Sequence, residues 1–267
     1  DLHSFPTRRS SDLHIVQDVG SGKTHLALHI KTLKTRQDIT TTYVDLSTIS
    51  PKTNESIYNA IVHGFGKELF SELKEKLLSQ ICEKAQKGDA LAKKALGYGF
   101  ADKLKGITIK QKAEDILYDK RTASADALQR YLAVHYSQHE QVIIKNILSN
   151  SFDKITNLDE LHGRLAAISK FSHNLLGKVI LFEMDEFDAQ EGSLDFVKSL
   201  INAHIPASVL LLITTPSLYM DVQRANPSVF DRLEKANYKI DLAGANSIDE
   251  LIEIAIEYIY GDRKSVV

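Results

Sequence analysis

The segment that most restricts the fold is Gly20-Ser21-Gly22-Lys23-Thr24. It follows the short apolar run His14-Ile15-Val16-Gln17 and opens the helical pattern Thr24 to Lys34. A strand that turns through glycines into a helix is half of a parallel strand-helix-strand unit. Losing β-carbons lets backbone N–H groups converge on one point, and the helix that follows adds the positive end of its dipole. That arrangement suits a phosphate. Lys23 is then expected to reach the β- and γ-phosphates of a nucleotide, and the Thr24 hydroxyl to enter a Mg²⁺ shell. The complete pattern has a further glycine five residues before Gly22. Gln17 stands there instead, which leaves the entry to the loop open but not its Gly-Lys-Thr end.

Other strand-like runs follow. Thr41 to Leu46 is rich in β-branched residues and leads into the polar stretch 47–54. Val179 to Met184 and Val209 to Thr214 are short, apolar and bounded by turn residues, as buried parallel strands are. Asn237 to Leu242 is a weaker fifth. Helical patterns lie between them: a long stretch from Asn54, then Leu158 to Leu176, Ser193 to Ala203 and Ser247 to Tyr260. The alternation predicts an α/β chain with a parallel sheet covered on both faces. Residues 57–156 interrupt it. They hold no strand and read as helices, for example Lys67 to Gln86, Ala90 to Leu104 and Ala123 to Leu148. The expected organisation is a core of 14–56 and 157–261 with a helical insertion at 57–156. From Lys67 to Arg121 there are 13 Lys/Arg against 9 Asp/Glu. That excess is either a solvated helix surface or a basic contact surface for nucleic acid or a protein partner.

The two ends read as translated DNA rather than as protein. Codons GAT CGG AAG AGC GTC GTG encode Asp262 to Val267, and their reverse complement contains CGA CGC TCT TCC GAT, which encodes Arg8-Arg9-Ser10-Ser11-Asp12. One short duplex therefore supplies both ends, and it resembles a sequencing-library adapter. Residues 1–13 and 262–267 are set aside for fold reasoning. The remaining core moves in formal charge only from −2 to −3. Bulk charge thus neither demands nor excludes nucleic acid. The single Cys82 can form no internal disulfide, which fits a reducing cytoplasm. Apolar runs such as Val209 to Ile213 are too short to span a bilayer.

The strand Val179 to Met184 runs into Asp185-Glu186. An Asp at the end of such a strand can support a metal beside the phosphates. A neighbouring Glu can activate the attacking water. Asp185 and Glu186 are the candidates for those roles. Glu183 is either a second acid near the site or a paired structural carboxylate, and Asp188 either a second acidic ligand or a helix cap. After the next strand, Thr214 or Thr215 could sense the γ-phosphate, or be a turn threonine before Pro216. Arg232, on a helix leading to the last strand, could reach the γ-phosphate of a neighbouring subunit. Alternatively it is a surface arginine pairing with Asp231 or Glu234. Arg224 is a less favoured finger.

Gly20-Ser21-Gly22-Lys23-Thr24, Asp185-Glu186, Thr214-Thr215 and Arg232 in this order resemble the AAA+ P-loop ATPases, especially the origin-recognition branch and the related STAND switches. Gly22-Lys23-Thr24-His25-Leu26 with Tyr43-Val44-Asp45-Leu46-Ser47 also resembles ATP-binding proteins of phage-defence islands of the BREX type, and brings His25 into the nucleotide-binding set. The resemblance covers about 14–50 and 160–260. It implies a three-layer sandwich on a five-stranded parallel sheet of order 5-1-4-3-2, ATP and Mg²⁺ as ligands, oligomers through the Arg232 face, and a helical lid beyond Tyr260. The expected activity is ATP hydrolysis driving conformational change on DNA or in a defence complex. A slowly hydrolysing switch is the alternative, and a small-molecule kinase is disfavoured by the water-activating Glu186.

Overall fold

The computed structural model describes residues 11–16, 39–151, 158–188, 190–203, 205–235 and 238–240. Its strands are β1 (Ser11–Val16), β2 (Ile39–Asp45), β3 (Val179–Asp185), β4 (Ser208–Thr214) and β5 (Tyr238–Ile240). Its helices are α1 (Asn54–Gly64), α2 (Gly66–Gln86), α3 (Ala90–Ala95), α4 (Phe100–Leu104), α5 (Ile109–Leu117), α6 (Ala125–His135), α7 (Gln138–Ser149), α8 (Leu158–Leu176), α9 (Glu191–Ala203), α10 (Pro216–Ala225) and α11 (Pro227–Lys235). Two compact units divide the chain: residues 1–66 with 178–267, and residues 67–177.

The first unit is organised by β3. All seven of its residues are buried, as are all seven of β4, so both strands are covered on both faces. β2 alternates instead: Thr42 and Val44 are buried, whereas Thr41, Tyr43 and Asp45 are half-buried. Thr42 and Phe182 face α1. The Thr42 hydroxyl donates to the Ile61 carbonyl at 2.7 Å, and Phe182 meets Phe65 edge-on at 6.1 Å. A β-carbon on Gly64 would lie 2.3 Å from Thr42 Oγ1, so the end of α1 approaches β2 closely only because that residue is glycine. β1 runs parallel to β4 and β5 parallel to β1, giving the order β2-β3-β4-β1-β5. β1 includes Ser11 to Leu13, which the sequence assigned to adapter translation. Strand pairing uses only backbone groups and does not require particular side chains.

The expected class, a P-loop three-layer sandwich on a five-stranded sheet, needs correction. The described residues are mostly helical, 67%, and the body of the sheet is the three parallel strands β2, β3 and β4; α/β fits only in the broad sense. The flanking β1 and β5 are six and three residues long. Residues 17–38, on which the expected glycine turn and helix fall, lie outside the described residues. The physical reason for the imbalance is the run of helices from 54 to 149, which places far more backbone in helix than in the sheet.

Among its described residues the second unit is built of helices, and caps set its breaks. Thr108 Oγ1 accepts the Gln111 amide at 3.1 Å while Gln111 Oε1 accepts the Thr108 amide at 2.8 Å, starting α5. The Ser137 amide donates to Glu140 Oε2 at 2.7 Å, starting α7. Asn150, with φ of 52°, ends α7 in the left-handed conformation that asparagine tolerates. The core centres on Tyr131, Ile143, Ile144, Leu165 and Ile168, all at 0% exposure. Fully burying one such aliphatic side chain stabilises by about 1.5–3 kcal/mol. Among the described residues, no helix is long and apolar enough to cross a membrane.

Candidate functional site

Strand alternation puts Glu183 and Asp185 on one face of β3 and Met184 on the other. Both acids are buried, at 0% and 1% exposure. The parallel register sets Tyr43 opposite Glu183 and Asp45 opposite Asp185. Tyr43 therefore shares the face of Asp185, one step back along the neighbouring strand, and its long side chain spans the diagonal. The Tyr43 hydroxyl donates to Asp185 Oδ2 at 2.8 Å. Burial, reinforced by the Asp185 carboxylate, pushes this hydroxyl well above the ordinary tyrosine range, so it remains a donor. The other carboxylate oxygen, Oδ1, accepts the Glu186 amide at 2.8 Å.

Glu186 follows the strand with φ of 53°. A non-glycine residue held there costs on the order of 1 kcal/mol. The next residue is clamped on both sides: the Phe187 amide donates to the Ile213 carbonyl at 3.1 Å, and the Phe187 carbonyl accepts the Thr214 hydroxyl at 2.7 Å. Phe187 is itself fully buried. These contacts between the ends of β3 and β4 hold the half-buried Glu186 in its strained turn. Asp45, at the end of β2, caps the short 3-10 helix Leu46–Thr48 by accepting the Ser47 amide at 2.9 Å.

Thr214 and Thr215 separate in role. Thr214 is 2% exposed and directs its hydroxyl proton at backbone, so its visible task is to hold the Glu186 turn. Thr215 caps α10, accepting the Leu218 amide at 3.4 Å, with Pro216 at the first helical position. Asp188 is bound to Lys52: Nζ to Oδ2 is 2.5 Å, with side chains only 10% and 15% exposed. Its other oxygen takes the Gln190 amide at 3.1 Å, one residue ahead of α9. A β-carbon on Gly192 would lie 1.8 Å from the Lys52 carbonyl, so α9 can accept the 49–53 segment only with glycine there.

Arg232 lies on α11, and its side chain is outside the described residues. Glu234, one of its two expected partners, accepts the Tyr219 hydroxyl at 2.7 Å. Arg224 is exposed and pairs with Asp221 at 3.2 Å. Gly20, Ser21, Gly22, Lys23, Thr24 and His25 lie outside the described residues.

Among the described residues, no group of three or more His, Cys, Asp or Glu side chains could hold a metal by itself. A Mg²⁺ ion that arrives with a nucleotide does not require one, since it takes one or two carboxylates plus phosphate oxygens and water. The two hydrogen bonds above fall on different oxygens of the Asp185 carboxylate. This carboxylate fits such a donor set. Tyr43 and Lys52 were not legible as site residues from spacing; only the strand register and the packing of the 49–53 segment bring them to Asp185 and Asp188. The chain matches no family model, and no curated protein or solved structure matches it significantly.

Proposed function

We propose that the chain binds ATP with Mg²⁺ at the carboxyl edge of its sheet and hydrolyses it, as an AAA+-like module that couples hydrolysis to conformational change. One observation carries this reading. Val16, the last residue of β1, is in register with Thr214, and the Thr214 hydroxyl holds the turn that bears Glu186. β1 therefore ends at the edge of the sheet where Asp185 and Glu186 end β3, and Gly20-Ser21-Gly22-Lys23-Thr24 follows four residues on in sequence. Two strand spacings, about 10 Å, separate β1 from β3. The four residues from Val16 to Gly20 can span up to about 14 Å. A phosphate-binding turn can thus face the acids without any long excursion of the chain.

In this reading Gly20, Ser21 and Gly22 offer amide groups to the phosphates, with His25 in the same nucleotide-binding set. Lys23 binds the β- and γ-phosphates, and Thr24 and Asp185 hold the magnesium. Bound Mg²⁺ supplies charge neutralisation along the β- and γ-phosphates. Glu186 takes a proton from water, whose oxygen forms the new bond to the γ-phosphorus as the bond to the β–γ bridging oxygen breaks. ADP and inorganic phosphate leave. The strained backbone at Glu186 supports this role, because conformations of that kind concentrate where side chains must be aimed. Arg232 is the proposed finger toward a neighbouring subunit, and a cytoplasmic setting is part of the same reading.

DNA is the proposed partner. Its support is a basic stretch on the helical unit in which Lys94, Lys103, Lys105, Lys110 and Lys120 are exposed. Phe100 and Tyr118 stand exposed among them at 76% and 65%. Exposed aromatic and cationic groups together suit single-stranded nucleic acid.

The test is ATP turnover by the full chain, with and without single-stranded DNA. Mg²⁺-dependent release of phosphate, lost in Glu186→Gln while ATP binding persists, is the expected result. Tight ADP retention with negligible turnover would make the chain a switch instead of a motor. Native-rate hydrolysis by Glu186→Gln would remove Glu186 from its role.

A further inference from the structure

We infer that Lys52 is a positioning residue for the turn that carries Glu186, acting through its ion pair with Asp188. The inference rests on the ATPase reading above. Glu186 is held at φ of 53°. Such a backbone persists only where its surroundings over-determine it. Contacts to β4 hold one side of the turn, through the Phe187 backbone and the Thr214 hydroxyl. Two residues beyond Glu186 comes Asp188, and its carboxylate is gripped twice. Oδ2 meets the Lys52 ammonium at 2.5 Å, and Oδ1 accepts the Gln190 amide at 3.1 Å. Lys52 belongs to the segment that follows β2. The turn is thus tied to β4 by hydrogen bonds and to the segment after β2 by charge.

Lys52 suits this task because its own backbone is fixed. Its carbonyl lies against Gly192 of α9, where there is no room for a β-carbon. The next residue, Thr53, caps α1 by accepting the Ser56 amide at 3.1 Å. The paired side chains are only 10% and 15% exposed. In so covered a pair, losing either member leaves the other charge uncompensated. Without Lys52, Asp188 gains by turning toward water, and the backbone of the turn moves with it. A misplacement of about 1 Å at a reacting group can cost about 10²-fold in rate.

The experiment measures ATP turnover, ATP affinity and the ligand-free melting curve of the full chain, of Lys52→Met, and of the double variant Lys52→Met with Asp188→Asn. The single variant leaves a covered charge unpaired and should melt lower. The double variant removes both charges and should melt close to the parent. Turnover is expected to fall about 10²-fold in both variants, with ATP affinity unchanged. A purely structural role for the pair would restore turnover along with the melting temperature in the double variant, and would overturn the inference. ATP affinity that falls in step with turnover would overturn it too. Native turnover in both variants would overturn it while leaving the ATPase reading intact. A folded parent that hydrolyses no ATP would overturn both.

Discussion

The two units bury charge in different settings, although the sheet unit has an ion pair of its own, Lys52–Asp188. Among the described residues of the helical unit, each buried charged side chain is met by an opposite charge. Lys74 pairs with Asp119 at 2.6 Å, Arg164 with Glu160 at 2.5 Å, and Glu140 with Lys170 at 2.6 Å. In the sheet unit Glu183 and Asp185 are buried two residues apart on one strand face, and the Asp185 carboxylate is held by a tyrosine hydroxyl and a backbone amide. Ion pairs neutralise charge in place and serve the fold. A hydroxyl or amide that donates to a carboxylate makes a charge-assisted hydrogen bond, which orients it. The contrast teaches that the number of buried charges does not locate a site; acids placed together at the carboxyl end of a buried strand are the better guide.

The largest effect expected from this contrast is at Glu186. Glu186→Gln should lower ATP turnover by about 10²–10⁴-fold, as loss of a general base does, with ATP binding retained. Steady-state phosphate release alongside a binding isotherm checks it, and a loss of binding in step with turnover would break the distinction between orienting and catalytic groups. Next comes packing. Phe182, at 1% exposure against Phe65, should cost about 3–5 kcal/mol as Phe182→Ala, read by chemical denaturation.

Thr214→Val is predicted to have a smaller effect, because it keeps the shape but leaves the buried Phe187 carbonyl without its hydroxyl donor. A loss of about 1–3 kcal/mol is expected, together with reduced turnover, since the same bond holds the Glu186 turn. Turnover unchanged despite lost stability would show that the turn does not aim Glu186.

The smallest effect lies in the helical unit. Glu140 is held below its ordinary carboxyl value of 4.5: burial opposes the shift, but the Lys170 ammonium and the Ser137 amide and hydroxyl outweigh it. A carboxyl with a depressed folded value contributes stability that is fully present above its unfolded value and drains away as pH falls through the folded one. Thermal stability of the parent should therefore fall below about pH 4.5, and fall less steeply in Glu140→Gln. Parallel pH profiles for the two proteins would contradict this account of the ion pair.

The legible parts of the sequence were those that local chemistry determines. An apolar run ending in Asp-Glu marked β3, and its acids do lie at the carboxyl end of a buried strand. Leu158 to Leu176 was readable from its apolar period and forms α8 over the same residues. The helical breaks were missed where short signals were overrun by longer periodicity. Ala90 to Leu104 is two helices, parted at Gly97, which has φ of 64°, and Gly99. Ala123 to Leu148 breaks at Ser137, whose capping partner Glu140 sits three residues on and could have given the boundary away. The weight of helix over sheet was underrated because the class was inferred from a few motifs on strands. Tyr43 could not have been found from spacing, since it meets Asp185 only through the register of two strands that lie far apart in sequence.

The central claim is that a nucleotide's phosphates are held opposite Asp185 and Glu186, and calorimetric titration of ATP with Mg²⁺ into the full chain and into Lys23→Ala tests it most directly. The account predicts saturable binding by the parent and none measurable in Lys23→Ala, at matched melting temperatures. Equal affinity in both proteins, or no binding by a folded parent, would contradict it.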